Sequence, residues 1–337
     1  MVKIAFFEIE GWEKPYLEKE LKEHELFFEG DILTRHYDLS KIKGVDIVST
    51  FIYSRVDKEV INQLPNLKAV ITRSTGFDHI DTEECKNRGI AVFNVPAYGI
   101  TTVAEYTILL ILSLLRRIKI VEEVIKRPHY LPKDVRGYEL NGKVLGVIGT
   151  GRIGSHVVKL AHAFGAKIIA YDIIKRKELE EKYGVKYVDL DTLLSTADII
   201  TIHVPYTPQT HHMINRENIT KVKKGALIVN TARGGIIEID ALIEALEEGR
   251  IAGAALDVVE GEWVLRGEID VYGKSKTASQ KELRDGVLVH LLKKYPNVIV
   301  TPHIAYNTWE ALHRILEVTV NTIRGFLKGE ELNNRIV

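Results

Sequence analysis

The stretch "LGVIGTGRIGSHVVKLAHAFGAKIIAYD" (residues 145–172) sets three glycines between two apolar runs. Gly149, Gly151 and Gly154 fit the spacing G-x-G-x-x-G, which carries weight only in the right surroundings. Those surroundings are present. "KVLGVI" before the glycines is a compact apolar strand, and "AKIIAY" after them is a second one. Between the two, Ile153, Val157, Ala161 and Phe164 recur at helical spacing and predict one apolar helix face that Gly165 ends. The result is a βαβ unit. In such a unit the first glycine permits the tight turn, the second lets a pyrophosphate approach, and the third allows helix and strand to pack closely. The helix start adds unpaired N–H groups and a positive dipole end. Asp172, closing the second strand, can accept bonds from ribose hydroxyls and repels a 2′-phosphate. NAD is therefore the expected cofactor, although Lys175 and Arg176 soften the preference over NADP.

Working outward, strand-like segments recur at 144–149, 167–171, 198–204, 226–231, 252–257 and 298–301, the six of two mononucleotide-binding halves. A separate alternation precedes them, with strands expected at 2–7, 45–51, 67–73 and 90–95. Between the two lies 101–127, which reads as one long helix, apolar in its first half and charged in its second. It suits a buried bridge between domains or a subunit interface. The last helix is expected over 310–329. The whole is α/β with mainly parallel sheets.

Composition bounds the function. The chain has 337 residues, 45% of them apolar and 27% charged, with 46 basic and 46 acidic side chains. Such a chain is expected to be globular, and without a block of like charge it is not expected to bind nucleic acid. "ILLILSLL" (108–115) is too short to span a bilayer, and the N-terminus lacks the features of a signal peptide, so neither membrane nor export is expected. The cytoplasm is the expected compartment. Cys85, the single cysteine, reads as a small buried hydrophobe.

Ligands bind at the carboxyl ends of strands in open α/β sheets, so catalytic groups are expected at strand ends. Arg233 in "ALIVNTARGG" follows a buried strand, and its planar fork suits a substrate carboxylate. Asp257, Glu260 and Glu262 cluster in "AGAALDVVEGE" without histidines at metal-ligand spacing, so no metal site is expected. His303 follows Pro302 in "VIVTPHIAY" and is placed to act as an acid, while His79 and His203 are not excluded by sequence. His211 and His212 read as loop residues.

These motifs, with "TRSTGFDHID" (72–81) and "HVPYTPQTHHMIN" (203–215), resemble the D-isomer-specific 2-hydroxyacid dehydrogenases over nearly the whole chain. The resemblance implies a Rossmann-type NAD-binding domain (101–301) inserted into a flavodoxin-like substrate domain (1–100 and 302–337). It implies Arg233 as the carboxylate ligand, His303 as the proton donor and Glu262, five residues after Asp257, as the acid paired with His303. Cofactor contacts are expected from Gly149, Gly151, Arg152, Ile153, Gly154, Asp172, Val204, Pro205, Thr231, Ala232, Arg233 and Asp257. Substrate contacts are expected from Tyr53, Thr75, Gly76, Tyr98, Arg233 and Tyr306.

Within the family the chain looks like the lactate enzymes. "LDVVEGE" lacks the proline that many phosphoglycerate and glycerate enzymes carry before the acid, and Tyr53, Tyr98 and Tyr306 match aromatic positions around a small pocket. "PAYG" departs from the "YSP" of those enzymes. The expected activity is reduction of a small 2-keto acid, pyruvate first, by a homodimer. A glyoxylate, hydroxypyruvate or bulkier 2-keto acid reductase remains open, as does an NAD-sensing binding protein related to transcriptional co-repressors.

Overall fold

A computed structural model describes residues 1–127, 129, 131–261 and 280–337. Contacts divide the chain into a smaller unit, 1–98 with 308–337, and a larger one, 99–307. The return crossing comes after Asn307 rather than after residue 301, because Thr301, Ile304 and Ala305 all bond to Asp257 within the larger unit.

In the smaller unit the order is β1 (Lys3–Phe6), α1 (Lys14–Glu20), β2 (Glu25–Phe28), β3 (Ile47–Thr50), α2 (Lys58–Asn62), β4 (Ala69–Thr72), α3 (Thr82–Asn87) and β5 (Ala91–Phe93). The strands form a parallel sheet in the order β2-β1-β3-β4-β5. That is the flavodoxin-like order. Strands covered on both faces read as continuous apolar runs rather than alternating ones. Accordingly Ile4 and Phe6 face one core and Ala5 and Phe7 the other. β2 escaped the sequence reading because its residues are half-exposed and few.

The first of these cores is completed from the far end of the chain. The last helix (Trp309–Lys328) starts where the Thr308 hydroxyl accepts from Ala311 N and stops at Gly329, whose φ is +73°. Its Leu316, Val320 and Ile323 pack with Ile4, Phe6, Ile47, Ile71 and Phe93. Burying each such side chain contributes about 1.5–3 kcal/mol.

The larger unit begins with α4 (Ile100–Leu115) and α5 (Ile118–Val124), where one long helix was expected. Arg117 adopts φ +54°, a left-handed conformation that breaks the helical run. The apolar first half is explained by burial within its own unit, since Ile111, Leu114 and Leu115 join Val147, Val229 and Ala255 in one core. There follow β6 (Val144–Ile148), α6 (Arg152–Ala163), β7 (Lys167–Tyr171), α7 (Lys177–Tyr183), β8 (Lys186–Tyr187), α8 (Leu190–Thr196) and β9 (Ile199–Ile202). β10 (Ala226–Asn230), α9 (Ile239–Glu247), β11 (Ile251–Leu256), α10 (Gln280–Lys294) and β12 (Val298–Val300) complete it, and the last helix of the chain becomes α11. The parallel sheet runs β12-β11-β10-β9-β6-β7-β8, seven strands among the described residues where six were expected. The addition is the two-residue β8. Strand order reverses between β6 and β9, which makes that position the topological switch point.

One polar group in the smaller unit is held at a cost. Glu13 is only 7% exposed and accepts a bond from Glu10 N at 2.7 Å. Burial pushes its pKa above the ordinary glutamate value, against the opposing pull of Arg73 and with support from Glu8 and Glu10. A carboxyl whose folded pKa is raised costs stability progressively as pH rises from the unfolded value of about 4.3 through the folded one, and has no such effect below the unfolded value. Glu13→Gln keeps the acceptor oxygen and removes the charge. Thermal melts from pH 4 to 8 should show the variant more stable than the parent at pH 8, with the difference closing as pH falls towards 4; equal melting points at pH 8 would refute this.

Candidate active site

The glycine turn can be tested atom by atom. Gly149 has φ +90°, and a Cβ there would lie 2.8 Å from the backbone carbon of His203. A Cβ on Gly154 would sit 1.9 Å from the Gly149 carbonyl oxygen, so no side chain fits. On Gly151 a Cβ would meet nothing within 4 Å, which leaves open space at the start of α6. Two glycines are thus forced by the protein's own packing, and the third faces the approach that a pyrophosphate would take. The first amides of α6, from Arg152 onward, have no partner within the helix and point there. These residues fit NAD. Gly154, Val157, Val158 and Ala161 form the buried helix face. Phe164, expected on that face, is 48% exposed, because the helix ends at Ala163.

Asp172 is tied to the same turn. Its Oδ2 accepts from Thr150 N at 2.6 Å and Thr150 Oγ1 at 3.0 Å, and its Oδ1 accepts from Ile174 N at 3.0 Å. The Thr150 hydroxyl, fully buried, also pairs with the Tyr187 hydroxyl at 2.9 Å. Sequence reasoning missed Thr150 and Tyr187, since neither type is distinctive alone. Together they hold the acid beside the cradle.

Just past β9 the half-buried His203 brings its Nε2 2.9 Å from the Thr201 hydroxyl. Desolvation pushes its pKa down to about 3, which favours the neutral ring near pH 7. Val204 follows, with its Cγ1 against the Gly149 turn, and the Pro205 carbonyl accepts from the Thr210 hydroxyl.

After β10, Asn230 braces the next turn: its side chain donates to the Arg233 carbonyl and accepts from Ala232 N. Thr231 shares a 3.0 Å bond with Thr107 of α4. Arg233 Nη1 donates to the Ala232 carbonyl at 2.8 Å. A Cβ at Gly234 would lie 2.2 Å from the Val259 backbone, so the turn after β11 presses directly on the arginine loop.

Asp257, expected as a cofactor contact, has its carboxylate directed at the chain itself. It is 1% exposed and accepts from Thr301 Oγ1 at 2.7 Å, Ile304 N at 2.9 Å and Ala305 N at 2.9 Å, while its carbonyl accepts from His303 N. These bonds surround His303, whose φ of +56° lies in the left-handed region that side chains seldom adopt. Its ring meets Tyr306 edge-on at 6.3 Å. Arg233, Asp257 and His303 therefore stand at the carboxyl ends of β10, β11 and β12, three adjacent strands.

Glu262 lies outside the described residues. Its neighbour Glu260 is engaged elsewhere, with Oε1 2.9 Å from His212 Nε2, and His212 stacks on His211 at 3.9 Å.

The other expected substrate residues follow strands of the smaller unit: Tyr53 after β3, Thr75 and Gly76 after β4, Tyr98 after β5. The Thr75 carbonyl accepts from Asn94 Nδ2, the Gly76 carbonyl from Ser74 Oγ, and the Tyr98 carbonyl from Arg314 Nε. His79 Nε2 pairs with the Thr72 hydroxyl. Cys85 is buried, and burial pushes its thiol up to about 11, which leaves it inert near neutrality. Among the described residues no three His, Cys, Asp or Glu side chains gather as a metal site, and no helix is long and apolar enough to cross a membrane.

The close approach at Gly154 yields a measurable expectation. Gly154→Ala must displace the Gly149 carbonyl, and NADH binding measured by calorimetry should weaken about tenfold or more, ~1.4 kcal/mol. Unchanged affinity would show that the turn does not cradle the cofactor.

Residues 108–305 match the family described as D-isomer specific 2-hydroxyacid dehydrogenase, NAD binding domain. A glyoxylate reductase of Thermofilum pendens is 40% identical over 297 residues, covering 87% of this chain and 81% of its own. A D-3-phosphoglycerate dehydrogenase of Methanocaldococcus jannaschii is 41% identical over 303 residues, covering 90% of this chain and 53% of its own. Among solved structures, the D-lactate dehydrogenase of Aquifex aeolicus complexed with NAD and lactic acid superposes with a TM-score of 0.88 at 39% identity, over 97% of this chain and 96% of its own. With a Rossmann sheet, a cradle shaped for NAD and relatives along nearly its whole length, the chain belongs to the D-isomer-specific 2-hydroxyacid dehydrogenases, NAD-dependent oxidoreductases acting on CH–OH groups.

Proposed function

We propose that this enzyme reduces pyruvate to D-lactate at the expense of NADH. The observation that carries the reading is the His303 turn: a histidine at a strand end, locked by four bonds to Asp257 and flanked along the same sheet edge by Arg233. A small substrate is supported by Tyr53, Tyr98 and Tyr306, bulky side chains at the positions expected to line the pocket. The Aquifex aeolicus structure, complexed with lactic acid, supports it further.

In this mechanism Arg233 pairs its planar fork with the substrate carboxylate, and the backbone amides of Thr75 and Gly76 donate to the same group. Tyr53, Tyr98 and Tyr306 flank the substrate's side chain. Bound NADH supplies a hydride to C2. His303 delivers its proton to the carbonyl oxygen, with Glu262 as the acid assigned to orient it. Cofactor contacts come from Gly149, Gly151, Arg152, Ile153, Gly154, Asp172, Val204, Pro205, Thr231, Ala232, Arg233 and Asp257. We further propose a cytoplasmic homodimer. Leu109 at 54% and Ile118 at 45% exposure leave apolar surface on α4 and α5 that a second copy would cover.

A second reading, reduction of glyoxylate or a bulkier 2-keto acid, is favoured by the name of the Thermofilum pendens relative and by "PAYG" at 96–99. NADH oxidation followed at 340 nm with pyruvate, glyoxylate, hydroxypyruvate and 4-methyl-2-oxopentanoate separates these possibilities. Pyruvate should show the highest kcat/KM and yield the D isomer on chiral chromatography. A higher value with another acid would reassign the substrate, and NADH binding without any turnover would point to a sensor. In the same assay His303→Gln should lower kcat by about 10²–10⁴ with NADH affinity kept; undiminished kcat would remove the histidine from the mechanism.

A further inference from the structure

Glu8 combines two features that packing alone does not require. It stands just past β1 with φ +56°, a left-handed conformation that glycine or asparagine adopts more readily than glutamate. Its side chain nevertheless does what neither of those could do at that reach. Oε2 accepts from Phe51 N at 2.8 Å, Ser54 N at 3.0 Å and Ser54 Oγ at 2.5 Å, and Oε1 accepts from Tyr53 N at 2.8 Å. One carboxylate thus gathers three backbone amides of the loop after β3. Bonds to a charged acceptor are shorter and roughly twice as strong as neutral ones.

The anchor is itself anchored. Arg73, 1% exposed, donates through Nη2 to the Phe7 carbonyl at 2.7 Å and the Glu8 carbonyl at 2.9 Å, and through Nη1 to Ser49 Oγ at 3.3 Å. Its guanidinium also lies 5.6 Å from the Phe51 ring. A buried cation therefore fixes the strained backbone of Glu8, and Glu8 in turn fixes the loop that ends in Ser54. Ser54 Oγ passes the constraint on by accepting from Leu33 N at 2.9 Å. The residue at the centre of this loop is Tyr53.

We propose that Glu8 is a positioning residue for substrate recognition, setting the backbone of Tyr53 so that its ring flanks the side chain of the keto acid. The inference rests on the substrate-contacting role proposed above for Tyr53. It assigns specificity to a residue that need not touch the substrate. Removing the anchor frees the loop, so the tyrosine spends less time where the substrate meets it. The effect falls on recognition of the keto acid and spares cofactor binding.

Glu8→Gln keeps one acceptor oxygen and turns an NH₂ group towards amide donors. In steady-state assays with pyruvate it should raise KM about tenfold, with kcat changed less than threefold and the Kd for NADH less than twofold. Glu8→Asp, which keeps the charge but shortens the reach, serves as the second variant should the amide not fold, and should also raise KM. Combined with Tyr53→Ala, either Glu8 substitution should add nothing further to KM. A KM unaffected by the Glu8 variants while Tyr53→Ala raises it would overturn the role of Glu8 alone. A KM unaffected by Tyr53→Ala would overturn both that tyrosine's role and this one. A Glu8 effect of equal size in the Tyr53→Ala background would show that the carboxylate acts through something other than Tyr53, and would overturn the proposal.

Discussion

At the end of β11 a carboxylate is almost completely withdrawn from water and still meets three donors, all from one five-residue turn. Burying an ion costs several kcal/mol, and three charge-assisted bonds at roughly 1.5–3 kcal/mol each are of the size needed to offset it. Asp257 can therefore remain buried only while residues 301–305 keep their course. That course places His303 in a left-handed conformation and turns its ring towards Tyr306. It also explains why residues 302–307 belong with the larger unit.

A second constraint of the same kind operates around the cradle. The Gly149–Gly154 turn is pressed by His203 and Val204, and its two end glycines pack directly on one another. Thr150 and Tyr187 then hold Asp172 against it. Both constraints lie along the carboxyl edge of one parallel sheet. There the strands end together and each following loop finds its neighbour's backbone groups within reach. The chemistry is concentrated where the backbone has most polar groups to satisfy.

Much of this was legible in the sequence. The βαβ unit around Gly149 could be read because glycines, apolar periodicity and a terminal acid report on independent requirements that coincide. The parallel strands could be read because burial on both faces leaves unbroken apolar runs such as "ALIVN". What escaped reading depends on partners distant in sequence. The break at Arg117 has no glycine or proline to announce it. β2 is half-exposed, and nothing in "ELFF" distinguishes it from a loop. Asp257 and His303 are 46 residues apart, and only the pairing of β11 with β12 brings them into register. The tie between Glu8 and Tyr53 spans a comparable distance and carries no spacing signal at all.

The return of α11 to the smaller unit has a consequence for biosynthesis. Residues 99–307 form a continuous unit with its own cores, whereas the core over Ile4, Phe6, Ile47 and Ile71 has only the α1 side of its cover, Leu17 and Leu21, until Leu316, Val320 and Ile323 arrive. A chain leaving the ribosome N-terminus first must therefore carry a half-covered apolar sheet through the synthesis of some two hundred further residues. The part made first is the last able to close. Chaperone demand on this protein should concentrate on that interval, and the non-local contacts of α11 should set the pace of maturation.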